Sequence, residues 1–170
     1  LGETQGSELL QDHVRAQIQA SRSQPDGGMI VLGGNCLGAR SRSGRYDTFF
    51  VPKNKLCSRR DEPTTRTALI TQSGGFAITR ISNLEGVNPV FAITIGNQID
   101  LTVSDCLRAV CMRDDVDAIG VYMEGFNYLD GLAFVHAVRS AVAAGKQIVF
   151  YKAGRTQAGQ SATAGHTASI

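Results

Sequence analysis

Short apolar runs alternate with helical spacings through the second half of the chain. The runs ALIT, PVFAIT, AIGVYM and QIVFY have the nearly continuous apolar character of strands buried on both faces of a parallel sheet. After each of the first three runs comes a turn-like loop and then a segment whose apolar residues recur with a helical period. This alternation predicts a doubly wound α/β domain, in which helices cover both faces of a parallel sheet.

The first third of the chain is less regular. ELLQDHVRAQIQ has the apolar spacing of a helix, and MIVLGG has the short apolar run of a buried strand. Residues 35–66 are rich in Arg, Ser, Lys and Pro, and predict an irregular connection with one extended piece at TFFV. We therefore divide the chain into residues 1–34, a linker over 35–66, and the α/β domain over 67–170.

Composition narrows the function classes. A chain of 170 residues with 42% hydrophobic residues can bury one substantial core. A net charge of +2, with no basic run interleaved with aromatics, argues against nucleic-acid binding, and no apolar segment is long enough to span a membrane.

Four cysteines without CxxC spacing argue against a zinc site, and the lack of a glycosylation signal favours a cytoplasmic location. Because the chain begins with Leu1, we expect a fragment of a longer polypeptide.

Ligands of open parallel sheets bind outside the carboxyl ends of the strands. The first such loop, TQSGGFA, places Ser73, Gly74 and Gly75 at the start of a predicted helix, where free amides and the helix dipole favour an anion. A phosphate site and a plain turn capped by Ser73 fit this loop about equally well. The turn GGNCLG and the loop IGNQID supply Asn35, Cys36 and Asn97 as candidates for the border of the site, with no chemical role for the thiol.

A carboxylate and an imidazole follow the last two predicted strands. Glu124 comes directly after AIGVYM, and His166 lies among small residues in the loop after QIVFY. A carboxylate bonded to one imidazole nitrogen leaves the other free as a nucleophile. Taken singly, each residue is more simply a solvated acid or an incidental loop histidine. In combination with an anion site on a neighbouring strand end, we expect Glu124 to face a catalytic His166.

The loop GRTQAGQS resembles the phosphate-binding pattern GxxxxGK[ST] without completing it. Gly154, Gly159 and Ser161 are in place, but Gln160 occupies the position of the lysine that reaches the terminal phosphates. We therefore reject a nucleotide site of this type and interpret the glycines as flexibility for a mobile loop.

Several motifs in order carry a family resemblance. The succession GGNCLG, ALITQSGGFA, IGNQIDLTVSDCL, GVYMEG, VFYKAGRT and GHTASI resembles the CoA-ligase region of the NDP-forming acyl-CoA synthetases, the superfamily of succinyl-CoA synthetase, over almost the whole chain. The resemblance implies that His166 is phosphorylated during turnover. It also implies that Glu124 supports this histidine and that Ser73, Gly74 and Gly75 bind phosphate.

The resemblance further implies a flavodoxin-like, three-layer α/β/α domain, preceded in residues 1–34 by the tail of a Rossmann-type CoA-binding domain. The family interconverts acyl-CoA, NDP and phosphate with carboxylic acid, CoA and NTP. It uses CoA, phosphate, and ATP/ADP or GTP/GDP with Mg²⁺ on a partner ATP-grasp domain or subunit. One departure is Gly34, which stands where the family usually has proline. We expect no turnover from this chain alone.

Two other functions compete with a synthetase. The region could be a non-catalytic sensor of CoA or acyl-CoA that regulates a fused protein acetyltransferase, although the presence of both His166 and Glu124 argues weakly against this. It could also be a structural domain that binds partner modules. The acyl group, the choice between ADP and GDP, the fusion of the missing modules and the oligomeric state stay open.

Overall fold

The computed structural model describes residues 7–52, 55–56, 62–84, 86–154 and 156. Four helices and six strands follow one another along these residues. They are α1 Ser7–Arg22, β1 Ala39–Ser41, β2 Tyr46–Asp47, β3 Thr65–Thr71, α2 Gly74–Asn83, β4 Pro89–Thr94, α3 Val103–Cys111, β5 Ala118–Met123, α4 Asp130–Ala143 and β6 Gln147–Lys152. All four strands and three helices predicted in the second half of the chain form.

The strands make one mixed sheet in the order β2-β1-β4-β3-β5-β6. Strands β3 to β6 are parallel, whereas β1 runs antiparallel to both β4 and β2. The chain leaves β3 for β4 on one side and later returns to β5 on the other. The strand order therefore reverses at β3, and this is where open α/β sheets place their ligand crevice.

Two apolar clusters separate the layers. On one face α3 and α4 cover the sheet, with Leu107, Ile70 and Ile119 fully buried between them. On the other face α2 packs through Ile81 against Ala92 of β4. Side chains that alternate between two covered faces explain the nearly continuous apolar runs. The predicted three-layer α/β/α, flavodoxin-like fold is confirmed, with an antiparallel extension at one side that the sequence pattern did not indicate.

The strand predicted at MIVLGG is wrong. Residues 29–34 pair with no strand, and Ile30 is 71% exposed. Their backbone instead bonds to the loop after β4: Ile99 N donates to Gly33 O at 2.7 Å, and Leu101 N donates to Val31 O at 3.2 Å. A strand requires a paired neighbour, and this segment meets a loop.

The linker region contributes to the sheet. The predicted extended piece TFFV forms no strand, and the residues that pair are Tyr46–Asp47 just before it and Ala39–Ser41. β1 adds to the sheet through β4, with Arg40 opposite Ala92. The boundaries proposed at residues 34 and 66 stay a prediction. In the described part of the chain, no helix has the length and apolar character to cross a bilayer.

Candidate functional site

The start of α2 is fixed by Ser73. Strand β3 ends at Thr71, and Ser73 is the N-cap of α2, with extended backbone and its Oγ accepting from Phe76 N at 3.3 Å. This bond uses one of the free amides of the first turn. The amides of Gly74 and Gly75, which precede it, have no acceptor among the described residues. The start of α2 is thus a capped helix terminus that still presents donors to an anion.

The turn GGNCLG lies directly beside this helix start. Asn35 and Cys36 border a cleft of about 270 Å³ together with the three residues Ser73–Gly75. A Cβ built on Gly74 would come within 3.0 Å of Leu37 Cβ, so the turn and the helix are in close contact. Cys36 is half-buried, and its Sγ donates to Leu32 O at 3.4 Å. The structure therefore brings two of the three predicted border residues to the predicted phosphate site.

The third border residue, Asn97, contacts the turn GGNCLG through its backbone. Its backbone N donates to Gly34 O at 2.8 Å, and Asn97 does not line the cleft. The neighbouring Gln98 is buried and spans the gap to the next loop, because its Nε2 donates to Gly125 O at 3.3 Å. The loop after β4 therefore bonds both to the turn GGNCLG and to the loop after β5.

Glu124 is buried rather than solvated. It follows β5 and is only 7% exposed. Tyr122 donates its hydroxyl to Glu124 Oε1 at 3.4 Å, whereas Oε2 is buried and has no partner among the described residues. Lys152 at the end of β6 donates from Nζ to the carbonyl oxygens of Glu124 and Ala153. The carboxylate of Glu124 is thus enclosed with one acceptor oxygen unused.

Gln72 joins the loop after β3 to the loop after β5. Its Oε1 accepts from Glu124 N at 2.8 Å and from Gly125 N at 3.0 Å, and the residue is 3% exposed. Gln72 also lines the cleft at the start of α2. The predicted phosphate site and the backbone of Glu124 are therefore connected through one buried side-chain amide.

Tyr122 lies in an aromatic stack beside Glu124. Its ring is 4.0 Å from the ring of Phe76 on α2 and 5.8 Å from that of Tyr151 on β6, nearly parallel to both. Burial of the phenol raises the pKa of Tyr122, and the negative charge of Glu124 raises it further. The stack holds the ring of Tyr122 in the position from which its hydroxyl contacts Glu124 Oε1.

The sequence analysis missed Gln72, Gln98 and Tyr122. Gln72 directly follows the run ALIT, Tyr122 is the penultimate residue of AIGVYM, and Gln98 lies in the loop after PVFAIT. A glutamine in the loop that follows a buried strand has backbone amides within reach. The glutamines in TQSGG and GNQID could therefore have been proposed as residues that hold neighbouring loops together. Only the folded arrangement shows which amides they meet.

His166 lies outside the described residues, as do Gly159, Gln160 and Ser161 of the rejected nucleotide motif. The predicted contact between Glu124 and His166 stays a prediction. Within the described residues, no group of three or more His, Cys, Asp or Glu side chains is placed to hold a metal ion.

Comparison with known proteins decides the family. Residues 64–170 match the family described as the succinyl-CoA ligase like flavodoxin domain, which is more than half of the chain. The chain belongs to this family. The resemblance to NDP-forming acyl-CoA synthetases is thereby confirmed, and α2, α3, α4 and β3 to β6 all fall within the matched flavodoxin domain.

Relatives of this flavodoxin domain are larger proteins. Acetate–CoA ligase (ADP-forming) I of Archaeoglobus fulgidus is 34% identical over 145 residues, which cover 84% of this chain and 20% of that protein. The subunit alpha of acetate–CoA ligase (ADP-forming) I of Pyrococcus furiosus is 30% identical over 165 residues, covering 96% of this chain and 34% of that subunit. The chain spans between about a fifth and a third of these relatives.

A solved structure gives the same result. The dinucleotide forming acetyl-coenzyme A synthetase 1 of Ca. Korarchaeum cryptofilum, in complex with phosphate and ADP, superposes with a TM-score of 0.79 at 29% identity. The superposition covers 97% of this chain and 33% of that one. The agreement extends over residues before 64 as well as over the flavodoxin domain.

Proposed function

We propose that the chain is the CoA-ligase part of an ADP-forming acyl-CoA synthetase. ADP is the expected nucleotide because the relatives are named as ADP-forming ligases. An oxygen of phosphate attacks the thioester carbonyl, the carbon–sulfur bond breaks, and CoA leaves to give an acyl phosphate. His166 then takes the phosphoryl group and releases the carboxylic acid, and the phosphoryl group passes to ADP. All three steps are reversible.

The observation that carries this proposal is the buried Glu124, whose Oε2 has no partner among the described residues and whose backbone N is bonded to Gln72, just before the start of α2. A buried acceptor without a donor costs about 1–3 kcal/mol, so a donor is expected in the working protein. An imidazole N–H is a donor that would suit this oxygen. It would fix the tautomer and orientation of His166 and leave the second ring nitrogen as the nucleophile.

The amides at the start of α2 would receive the phosphoryl group. Gly74 and Gly75 present N–H groups at the positive end of the helix dipole, and Ser73 keeps the first turn in place. Donors fixed in advance stabilise charge that develops during transfer, and they need no rearrangement. The imidazole and the anion site would then act on the same phosphoryl group.

The chain covers only 20% and 34% of two relatives, which supports the presence of further domains or subunits. We infer that a CoA-binding domain and an ATP-grasp domain or subunit complete the protein, with ADP and Mg²⁺ bound on the latter. The Pyrococcus furiosus relative is named as a subunit alpha, which supports separate subunits as one arrangement of these parts. The chain alone is expected to have no turnover.

The test is phosphorylation of the parent protein supplied with its ATP-grasp module. Incubation with labelled ATP and Mg²⁺ should give an acid-labile, base-stable label that disappears in His166→Ala. His136→Ala is the matched control, because His136 is exposed on α4 and should leave the label unchanged. Glu124→Gln should reduce labelling by about tenfold or more, as expected for loss of a supporting carboxylate. A folded wild type without label would overturn the carrier role and favour a regulatory region.

A further inference from the structure

Gln72 has a second polar atom that the support of Glu124 does not use. Its Oε1 accepts from two backbone amides, at 2.8 and 3.0 Å. An amide oxygen has two lone pairs, so these bonds occupy it fully. They also fix the orientation of the side chain, because a flipped amide would place its NH₂ group against two N–H donors.

Gln72 lines the cleft at the start of α2, and its side-chain nitrogen has no acceptor among the described residues. The residue is only 3% exposed and borders the cleft together with Ser73, Gly74 and Gly75. An amide nitrogen is a donor only. The backbone N–H groups at the start of α2 and Nε2 of Gln72, all without an acceptor among the described residues, therefore belong to residues that border one cleft at the end of β3.

We propose that Gln72 is an anion-binding residue, whose Nε2 donates to an oxygen of the phosphoryl group held at the start of α2. This inference rests on the proposed function and deepens it. The ligand chemistry is a tetrahedral phosphoryl anion, which inorganic phosphate and a phosphohistidine both present. Because the same amide holds Glu124 N and Gly125 N, Gln72 sets the distance between the anion and the carboxylate.

Neutral donors suit this task. The residues that line the cleft include no lysine, arginine or histidine, so within the described chain the anion would be held by amides and hydroxyls. A phosphoryl group that must leave again is poorly served by uniformly tight binding, which lowers the ground state together with the transition state. A fixed amide gives direction without adding a full charge.

Isosteric variants separate the two ends of the side chain. Gln72→Glu keeps an oxygen for both backbone amides and replaces the donor Nε2 with an anionic oxygen. Gln72→Met has similar length and removes both functions. Gln147→Glu is the control for the added charge, because Gln147 is exposed at the start of β6, at the opposite end of the parallel strands from the cleft. Circular dichroism and thermal melting of each variant establish that it folds.

The measurement is equilibrium dialysis of the full-length protein with labelled inorganic phosphate. Gln72→Glu should weaken phosphate binding by about tenfold or more, and Gln72→Met by a smaller factor, since one charge-assisted hydrogen bond is lost in both and repulsion is added in the first. Gln147→Glu should stay within about twofold of the wild type. If Gln72→Glu does not fold, Gln72→Met still decides the outcome.

A second arm distinguishes the two sources of the phosphoryl group. Label from ATP is followed in the same variants. Reduced dialysis binding identifies free phosphate as a ligand of Gln72, and reduced label with unchanged dialysis identifies the phosphohistidine; either result supports the proposal. If phosphate binding and labelling both match the wild type, Gln72 is not an anion-binding residue, while the proposed function stands. A wild type that neither binds phosphate nor takes label overturns both.

Discussion

At the scale of single residues, the two glycines that open α2 differ in what they tolerate. A Cβ on Gly74 would lie 3.0 Å from Leu37 Cβ, whereas a Cβ on Gly75 would meet only Ser73 Oγ at 3.9 Å. We expect Gly74→Ala to lower the free energy of unfolding by about 1–3 kcal/mol, because the buried Leu37 must shift. Gly75→Ala should leave it unchanged or slightly higher. Urea unfolding of both variants checks this, and equal effects would contradict it.

Tyr122 provides a probe of the enclosed carboxylate. Burial is the larger cause of its raised pKa, and Glu124 is the second. We therefore expect Glu124→Gln to lower the pKa of Tyr122 only part of the way towards the ordinary value. Ultraviolet difference spectroscopy follows the titration of the tyrosines, and the signal that is lost in Tyr122→Phe belongs to Tyr122. Tyr128→Phe is the control, because Tyr128 is exposed and its removal should leave that signal unchanged.

The same shift has a consequence for stability. The folded state raises the pKa of Tyr122 and so favours the protonated phenol. The contribution of this phenol to the free energy of unfolding is therefore complete below the ordinary pKa of about 10, and it is lost as pH rises through the folded pKa. The stability difference between wild type and Tyr122→Phe should therefore change at alkaline pH and be constant near neutrality. An unchanged difference across the alkaline range would contradict the assigned shift.

The site was predictable at this scale only in part. Residue type alone predicts a helix start at Ser73, Gly74 and Gly75, and α2 begins there in the structure. Glu124 follows an apolar strand, but its backbone N is bonded to Gln72, 52 positions earlier in the chain. Residue spacing cannot show such a contact, because it arises from the pairing of β3 with β5.

At the scale of secondary structure elements, the prediction was right for long segments that pack against other elements of the same domain. The four parallel strands and three following helices have clear periods because one core buries them all. MIVLGG has the composition of a strand but meets the loop at residues 99–101 instead of a strand. β1 and β2 have three and two residues, too few to show an alternation, so the antiparallel extension was missed.

Helix α3 begins with a capping box that can be tested. Thr102 N donates to Asp105 Oδ2 at 3.0 Å, and Asp105 N donates to Thr102 Oγ1 at 3.4 Å. Asp105→Ala should cost about 0.5–2 kcal/mol of unfolding free energy. Asp12→Ala is the control, because Asp12 on α1 has a side chain 72% exposed and should cost nearly nothing. Equal costs would mean that the box does not stabilise α3.

The pH dependence of this cap has a definite sign. Partial burial opposes ionisation of Asp105, but its bonds from Thr102 and Arg108 outweigh that effect and lower its pKa. Its contribution is therefore present above the ordinary value of about 4 and is lost as pH falls through the lower folded value. The gap between wild type and Asp105→Ala in urea unfolding should shrink below about pH 4.

At the scale of the whole molecule, the two ends of the sheet differ. At one end the short β2 is exposed and polar, with Tyr46 and Asp47. At the other end β6 exposes Val149, Phe150 and Tyr151 on both faces. Edge strands of stable proteins usually carry charges or irregularities, whereas β6 has the composition of an inner strand.

A groove beside β6 enlarges this apolar surface. It has a volume of about 520 Å³ between α4 and β6 and is lined mainly by apolar side chains, among them Phe126, Phe134, Val142, Ile148 and Phe150. Among the described residues β6 pairs only with β5, and contiguous exposed apolar surface next to such an open edge favours association. We therefore expect the 170-residue chain, taken alone, to associate as its concentration rises.

Val149→Lys should reduce this association. Val149 is 69% exposed, so lysine fits without disturbing the core, and a charge on an edge strand opposes pairing with another edge. Gln147→Lys is the matched control, because it adds the same charge to an exposed position of the same strand without removing apolar surface. Sedimentation velocity over a range of concentrations should show less association in Val149→Lys than in both the wild type and Gln147→Lys. If Gln147→Lys reduces association equally, net charge rather than the apolar edge of β6 controls it.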